Sequence, residues 1–296
     1  ARVFTYPIGE GHEACVKCHS GEGFVDTTEG EEEVRTGFAV VSCAVCHDPH
    51  SAENEHQVRV YDVVTLPDGT EVTNAGASAT CMSCHNGRVG PDEVEAEEPH
   101  YPHHSTAAEM ITGVGGYTYG EEIENSPHIA IGKTCVDCHM YETPGMDDAG
   151  TPDDSSDDVP LPGHNEIGEH TFTMASPDGV ELVGACAECH GEIESFNLPA
   201  KGDYDGDGTV EGIRDEVQGL LDLLFQAIQD SGVTYLGHYP YWENVTTKAQ
   251  KAAIYNWSFV GNEGSLGVHN TARAVQLLQA SYRDLTGEDV PGADLR

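Results

Sequence analysis

Ten cysteines occur in this chain as five pairs, and every pair has the same spacing and the same following residue. Each copy reads Cys-x-x-Cys-His, and no cysteine lies outside the five copies. This motif is the attachment signature of c-type haem, because its two sulfurs bond the porphyrin and the adjacent histidine supplies the proximal iron ligand. The residues that the motifs assign to haem are Cys15, Cys18, His19, Cys43, Cys46, His47, Cys81, Cys84, His85, Cys135, Cys138, His139, Cys186, Cys189 and His190.

Paired cysteines have other uses, and each explains less of this pattern. Disulfides suit an even count in an exported protein, but they give no reason for a histidine after every second cysteine. Structural zinc needs four ligands for each ion, and a redox Cys-x-x-Cys usually occurs once. The sequence therefore predicts five covalently bound haem c groups in 296 residues.

The charge of the chain limits its partners. Its 52 Asp and Glu against 13 Lys and Arg give a formal net charge of −39. Nucleic acid is excluded, because a binder needs a basic stripe to neutralise phosphates. Membrane insertion is not expected either, since no stretch approaches the ~18 apolar residues of a span. Covalent haem attachment takes place outside the cytoplasm, so we expect an exported protein, extracellular or at the cell surface, with the periplasm as the alternative.

With 38% hydrophobic residues the chain is lean for an ordinary core, so we expect the flat apolar haems to serve as local cores. We predict a multihaem cytochrome c fold of mostly α-helix and irregular loops, wrapped on a chain of closely packed haems, with one small β-hairpin in residues 58–72. Residues 1–195 are the predicted haem-bearing region. Residues 196–296 are predicted to hold a calcium-loop-like segment and helices packed on that region, at Ile213–Ile228, Ala249–Val260 and Thr271–Leu285.

The irons also need ligands on their distal side, and imidazole is the usual choice. His50 follows a proximal ligand by three residues, so it should project away from its own haem toward a neighbouring one. His128 precedes Cys135 by seven residues and is likewise suited to ligate another iron. Outside the motifs the chain has His12, His50, His56, His100, His103, His104, His128, His164, His170, His238 and His269.

Several short segments resemble the multihaem cytochromes c that include the ammonia-forming nitrite reductases and the octahaem enzymes. They are the run from Ser126-Pro127-His128 to Cys138-His139-Met140, then His170-Thr171-Phe172, and Gly267-Val268-His269-Asn270. In that group such segments supply distal histidines. The resemblance implies five distal ligands, with two histidines in reserve: His50, His128, His170, His269 and His104, then His103 and His12.

Two acidic segments are candidate cation sites. Asp203, Asp205 and Asp207 occupy positions 1, 3 and 5 of an EF-hand-like loop, with a glycine at position 6. Position 12 holds Arg214 instead of glutamate, so a shifted carboxylate would have to close the site. The candidate calcium ligands are therefore Asp203, Asp205, Asp207, Thr209, Glu211, Asp215 and Glu216, and the alternative is an acidic turn without an ion. For the acidic run 146–160 we expect a solvated surface loop, with a loose cation site as the alternative.

An enzyme of this cofactor class needs an iron with an open coordination position. The nitrite reductases that the chain resembles commonly obtain one from a motif ending in lysine, and no Cys-x-x-Cys-Lys occurs here. Haems with two histidine ligands leave no place for substrate, so the leading expectation is electron transfer without a catalytic residue. A discrete periplasmic or surface shuttle is the first alternative. A reductase of nitrite or hydroxylamine is the second.

The dense haem spacing and the Cys-x-x-Cys-His-x-x-His run from Cys43 to His50 resemble the extracellular cytochrome filaments, the cytochrome nanowires of the OmcE and OmcS type. That resemblance implies a repeating subunit whose partners are copies of itself, together with redox partners or extracellular electron acceptors. It also implies that His12 or His50 ligates a haem across the joint between subunits.

Overall fold

The computed structural model describes residues 13–30, 40–102, 105–131, 134–152 and 154–296. Short helices and long loops fill most of the first two thirds, and three long helices follow. The helices in the described residues are α1 (Glu13–His19), α2 (Gly21–Glu29), α3 (Cys43–Cys46), α4 (Ser78–Met82), α5 (Ala107–Thr112), α6 (Thr134–His139), α7 (Ala187–His190), α8 (Ile213–Asp230), α9 (Lys248–Glu263) and α10 (Thr271–Thr286). Single 3-10 turns lie at Pro91–Glu95, Pro127–Ala130, Glu169–Thr171 and Val183–Cys186.

The last three helices form a bundle with the main apolar core. Helix α8 buries Val217, Leu220 and Leu224 on one face, as its three-to-four-residue apolar spacing predicts. Helix α9 starts at a capping box between Thr247 and Gln250. Helix α10 starts at the Asn270 cap and ends at Gly287, whose positive φ of 81° suits a glycine. All three predicted helices are confirmed, and no observed bound differs from the predicted one by more than three residues.

Residues from the motif-bearing part also enter this core. Val94 and Met110 are buried among the bundle side chains. The amide of Asn256 on α9 accepts from the Tyr117 N–H at 2.7 Å and donates to the Tyr117 carbonyl at 2.8 Å. Contacts therefore cross the predicted boundary near residue 195, and the bundle lies against the segment that follows the third motif.

Strands are few and short. The predicted hairpin is present, with β1 (Val64–Thr65) antiparallel to β2 (Glu71–Val72). Two further two-stranded sheets were not predicted: β3 (Met146–Asp147) with β4 (Val159–Pro160), and β5 (Thr234–Tyr235) with β6 (Trp242–Glu243). Mostly helix and loop, the described chain matches the predicted fold class. None of its described helices combines the length and the apolar character that a membrane span needs.

The acidic run 146–160 is the loop that joins β3 to β4. Four of its described carboxylates are solvent-exposed and Asp158 is half-buried, and Asp157 accepts a hydrogen bond from the Thr151 hydroxyl. No group of three metal-ligating side chains is found here among the described residues, and Asp153 lies outside them. The arrangement fits the predicted surface loop.

Candidate haem site

We number the Cys-x-x-Cys-His motifs one to five along the chain. Each lies on or beside a short helix: α1, α3, α4, α6 and α7. Residues three apart face the same side of a helical turn, so one turn presents both sulfurs of a motif together and the histidine follows directly. The local structure thus repeats the same donor arrangement five times.

Contacts between the motifs bring them into one cluster. The Cys84 sulfur of motif three lies 3.9 Å from the Lys17 carbonyl of motif one and contacts Cys18. The Cys81 sulfur, also of motif three, contacts Cys135 of motif four. Helix α6, which carries motif four, packs in turn against the 3-10 turn of motif five. The fold therefore gathers sites that are 28 or more residues apart in the sequence.

Three imidazole pairs stand out in this cluster. The rings of His47 and His170 have their centroids 6.3 Å apart. The distance is 6.1 Å between His139 and His269, and 5.9 Å between His128 and His190. Two imidazoles on opposite sides of one iron have centroids about 6 Å apart, because each side contributes a metal–nitrogen bond of about 2 Å and half a ring. Each pair joins one proximal histidine to one predicted distal histidine.

Hydrogen bonds orient these rings through their Nδ1 atoms. Nδ1 of His47 lies 2.7 Å from the His56 carbonyl, Nδ1 of His139 lies 3.0 Å from the Phe172 carbonyl, and Nδ1 of His128 lies 2.8 Å from the Val268 carbonyl. A carbonyl can only accept, so Nδ1 carries the proton and Nε2 keeps its lone pair for a metal. The donor set fits iron.

His269 is oriented differently, by a carboxylate. Its Nδ1 donates a hydrogen bond to Glu263, whose side chain is fully buried. Burial raises the pKa of Glu263, but the hydrogen bond from His269 outweighs it and the pKa is lowered. Burial likewise disfavours the charged form of His269, yet the carboxylate raises the pKa of that ring.

The turn before α10 positions two of the predicted distal ligands together. Val268 orients His128 and the next residue is His269 itself. Asn270 then accepts from the Ser126 N–H at 2.8 Å, two residues before His128. Its amide also donates to the Met110 carbonyl at 3.1 Å. This one turn therefore holds the rings that face motifs four and five.

Exposed apolar side chains flank the paired rings. Ile129 follows His128, Phe172 follows His170 by two residues, and Tyr141 follows His139 by two; each is 42–48% exposed. Large apolar surfaces beside polar ligands indicate a binding site for an apolar group. Together with the ring spacing and the Nδ1 contacts, they fit a porphyrin between the two histidines of each pair.

The other predicted distal ligands are not brought into such pairs by the described residues. His50 is exposed, and its backbone N–H donates to Asp48 at 3.0 Å. His12, His103 and His104 lie outside the described residues. Sequence reasoning gave no role to His164, whose Nδ1 lies 2.5 Å from the Pro144 carbonyl. It also missed Glu263.

The carboxylates of the calcium-like loop lie in two groups of three that share Asp205. Asp203, Asp205 and Glu216 bring ligand oxygens within 4.8 Å of one another, and so do Asp205, Asp207 and Glu211. Burial and the neighbouring carboxylates raise the pKa of Asp205 to about 6. Asp215 is directed elsewhere and accepts from the Asn197 amide at 2.5 Å, whereas the Thr209 backbone N–H donates to Asp207 at 2.7 Å.

Comparisons with known proteins agree with these observations. The doubled CXXCH motif family matches residues 36–90, which contain motifs two and three. The chain is a multihaem c-type cytochrome. Its fold is similar to the crystal structure of the outer cell wall cytochrome OcwA, with a TM-score of 0.59 and 22% identity. The match covers 93% of this chain and 45% of OcwA, so this cytochrome spans less than half the length of that protein. Comparison with curated proteins gives no match.

Proposed function

We propose that this cytochrome transfers electrons through five haems, each held between two histidines. The observation that carries the proposal is the set of three ring pairs about 6 Å apart, His47 with His170, His139 with His269 and His190 with His128. When bound, a haem iron supplies a one-electron ferric–ferrous couple. The two imidazoles of each pair hold that iron from both sides and leave no position for substrate.

The residues between the motifs support a connected path. Motif four adjoins motif three through the Cys81 and Cys135 sulfurs. Residues 170–172 link motif four to motif two, because His170 faces His47 while the Phe172 carbonyl binds His139. The turn at 268–269 links motif four to motif five in the same way. Motif four is therefore the junction of the proposed path.

Carbon monoxide separates electron transfer from a reductase function. A reductase needs a five-coordinate iron, to which carbon monoxide binds in the ferrous state. We expect no change in the visible spectrum when the reduced cytochrome is exposed to carbon monoxide. A change equivalent to one haem per chain would instead favour the nitrite or hydroxylamine reductase alternative.

We further propose that the cytochrome is exported and that copies of it assemble end to end. Export is supported by the covalent haem motifs and by the fold shared with a protein described as an outer cell wall cytochrome. Assembly is supported by the Cys43–His50 run, which matches the filament cytochromes. Subunits with a charge of −39 repel, so a joint needs a histidine–iron bond or bound cations.

Electron microscopy of the native protein tests the assembly. We expect filaments with a short axial repeat, and we expect either His50→Ala or His12→Ala to yield single subunits while His56→Ala, the matched control, still polymerises. Discrete wild-type particles would support the soluble shuttle instead.

We also propose that the loop at 203–216 binds one structural calcium ion. Two features support it: the fully buried Glu216 beside two further carboxylates, and the like charges that already act on Asp205. A divalent cation would neutralise charges that are otherwise held together at a cost. Glu216 then takes the closing position that Arg214 leaves, because Arg214 is directed away and pairs with Glu181 at 3.1 Å.

A further inference from the structure

Nδ1 contacts are known for four of the six paired rings, and one of these four differs from the other three. Nδ1 of His47, His128 and His139 each faces a neutral backbone carbonyl. Nδ1 of His269 faces the Glu263 carboxylate. The difference is one full negative charge directly behind a proposed iron ligand.

The surroundings of Glu263 hold that charge in place. One carboxylate oxygen bonds His269, and the other accepts from the Ser265 N–H at 2.9 Å and the Ser265 hydroxyl at 2.7 Å. Glu263 is the last residue of α9, where the helix dipole is negative and offers a carboxylate no stabilisation. Within the described residues its ion-pair partner is His269 and no lysine or arginine. The imidazole therefore donates a hydrogen bond to the buried charge without cancelling it, because a ring that binds iron through Nε2 is neutral.

A carboxylate behind a ligating imidazole acts on the metal in two ways. It draws the Nδ1 proton toward itself, which makes Nε2 a stronger donor. Its charge, in a region of low dielectric, also favours the more positive ferric state over the ferrous state. Both effects make the iron harder to reduce, and a backbone carbonyl produces them only weakly.

We propose that Glu263 is a positioning residue that gives the haem of motif four a lower midpoint potential than the haems of motifs two and five, where Nδ1 of His47 and of His128 faces a carbonyl. The inference rests on the proposed pairing of His269 with His139. It places a haem that is harder to reduce than those of motifs two and five at the junction between motifs two, three and five, so an electron crosses the junction by a thermally activated step.

The test is a potentiometric titration of the holoprotein, followed by visible and electron paramagnetic resonance spectra, for wild type and Glu263→Gln. In each step a mediator gives one electron to a ferric iron, and His269 keeps its Nδ1 proton. Glutamine still accepts from Nδ1 but carries no charge.

We expect one of the five midpoint potentials to rise in Glu263→Gln. At a fixed solution potential, the ferrous-to-ferric ratio of that haem should increase at least tenfold, which corresponds to about 59 mV for a one-electron couple. Ser265→Ala is the matched control, because it removes the hydrogen bond that the Ser265 hydroxyl donates to Glu263 and keeps the carboxylate charge. This variant should shift the potential much less.

Two results would overturn the inference, and they are distinguishable. If His269→Ala produces a high-spin haem but Glu263→Gln moves no potential, the pairing stands and the role of Glu263 is wrong. If His269→Ala leaves all five haems low-spin, the pairing itself is wrong. Should Glu263→Gln fail to fold, the wild-type titration tests the inference. The haem signal that His269→Ala removes must have a lower potential than at least two of the other haems, and a higher rank would contradict the proposal.

Discussion

Replacing His269 with alanine is expected to convert one of the five haems from six-coordinate low-spin to five-coordinate high-spin. Its ring lies 6.1 Å from His139, and the structure offers Nε2 of His269 to the same iron. Alanine has no donor atom, so that iron loses its distal ligand. The reduced variant should then bind one carbon monoxide per chain, whereas the wild type binds none. Electron paramagnetic resonance of the oxidised variant measures the high-spin fraction, and visible spectra measure the carbon monoxide.

Removal of His269 also leaves the buried Glu263 carboxylate without the hydrogen bond that Nδ1 donates, which costs roughly 1.5–3 kcal/mol of folding free energy. The double variant His269→Ala/Glu263→Gln removes that charge and should be more stable than the single variant while keeping the high-spin haem. His269→Met should restore a six-coordinate low-spin iron at a higher potential. His100→Ala is the matched control, because the His100 side chain is 75% exposed and its ion-pair partner among the described residues is Glu93, at 3.5 Å. A fully low-spin His269→Ala protein would refute the pairing.

The proximal half of the site could be predicted from sequence alone, since all of its information is local. Two sulfurs and an imidazole within five residues can be brought together by a single helical turn. The five motifs lie on or beside five short helices. The three long helices were equally accessible, because their apolar spacing, the Thr247 cap and the terminal Gly287 are short-range signals.

The distal half could not be assigned in the same way. His128 faces His190, 62 residues later, although motif four is much closer in the sequence. His170 faces His47 across most of the motif-bearing region. Such pairings depend on how the loops pack. Because eleven histidines lie outside the motifs, several assignments of distal ligands to irons are consistent with the sequence.

The groups that orient the rings are harder still to predict. Phe172 and Val268 act through backbone carbonyls, which every residue has, so their side chains carry no signal. Glu263 is one of 52 acidic residues and lies six positions before His269, a spacing with no recognised meaning. Its buried contact with Nδ1 of His269 distinguishes it, and that contact is known only once α9 and the turn before α10 are packed.

Removing calcium is expected to lower the stability of the C-terminal part substantially. The proposed loop joins three segments: the Asp203 carbonyl accepts from the Asp294 N–H at 2.6 Å, the Tyr204 carbonyl accepts from Gln279 on α10, and Glu216 lies in the first turn of α8. Without the ion, Asp203, Asp205 and Glu216 repel one another inside a chain that is already strongly acidic. A ligand present at 100 times its Kd adds about 2.7 kcal/mol to the free energy of unfolding. Chelation should therefore lower Tm by roughly 5–10 °C, measured by calorimetry with and without EGTA.

Variants on one turn of α8 make this prediction specific. Glu216→Gln removes a buried carboxylate that the ion would share with the Tyr204 and Glu211 N–H groups, now at 2.7 and 2.9 Å from it. We expect calcium affinity to fall at least tenfold and the EGTA effect on Tm to disappear, because ligand charge sets affinity in such loops. Asp215→Asn is the matched control: its side chain binds Asn197 and is absent from the converging carboxylates, so its calcium titration should follow the wild type. Equal losses in both variants, or no response of the wild type to EGTA, would show that 203–216 is an acidic turn held by its own hydrogen bonds. The role of the buried Glu216 would then be to accept hydrogen bonds from the backbone N–H groups of the loop, which would fix the loop to the start of α8.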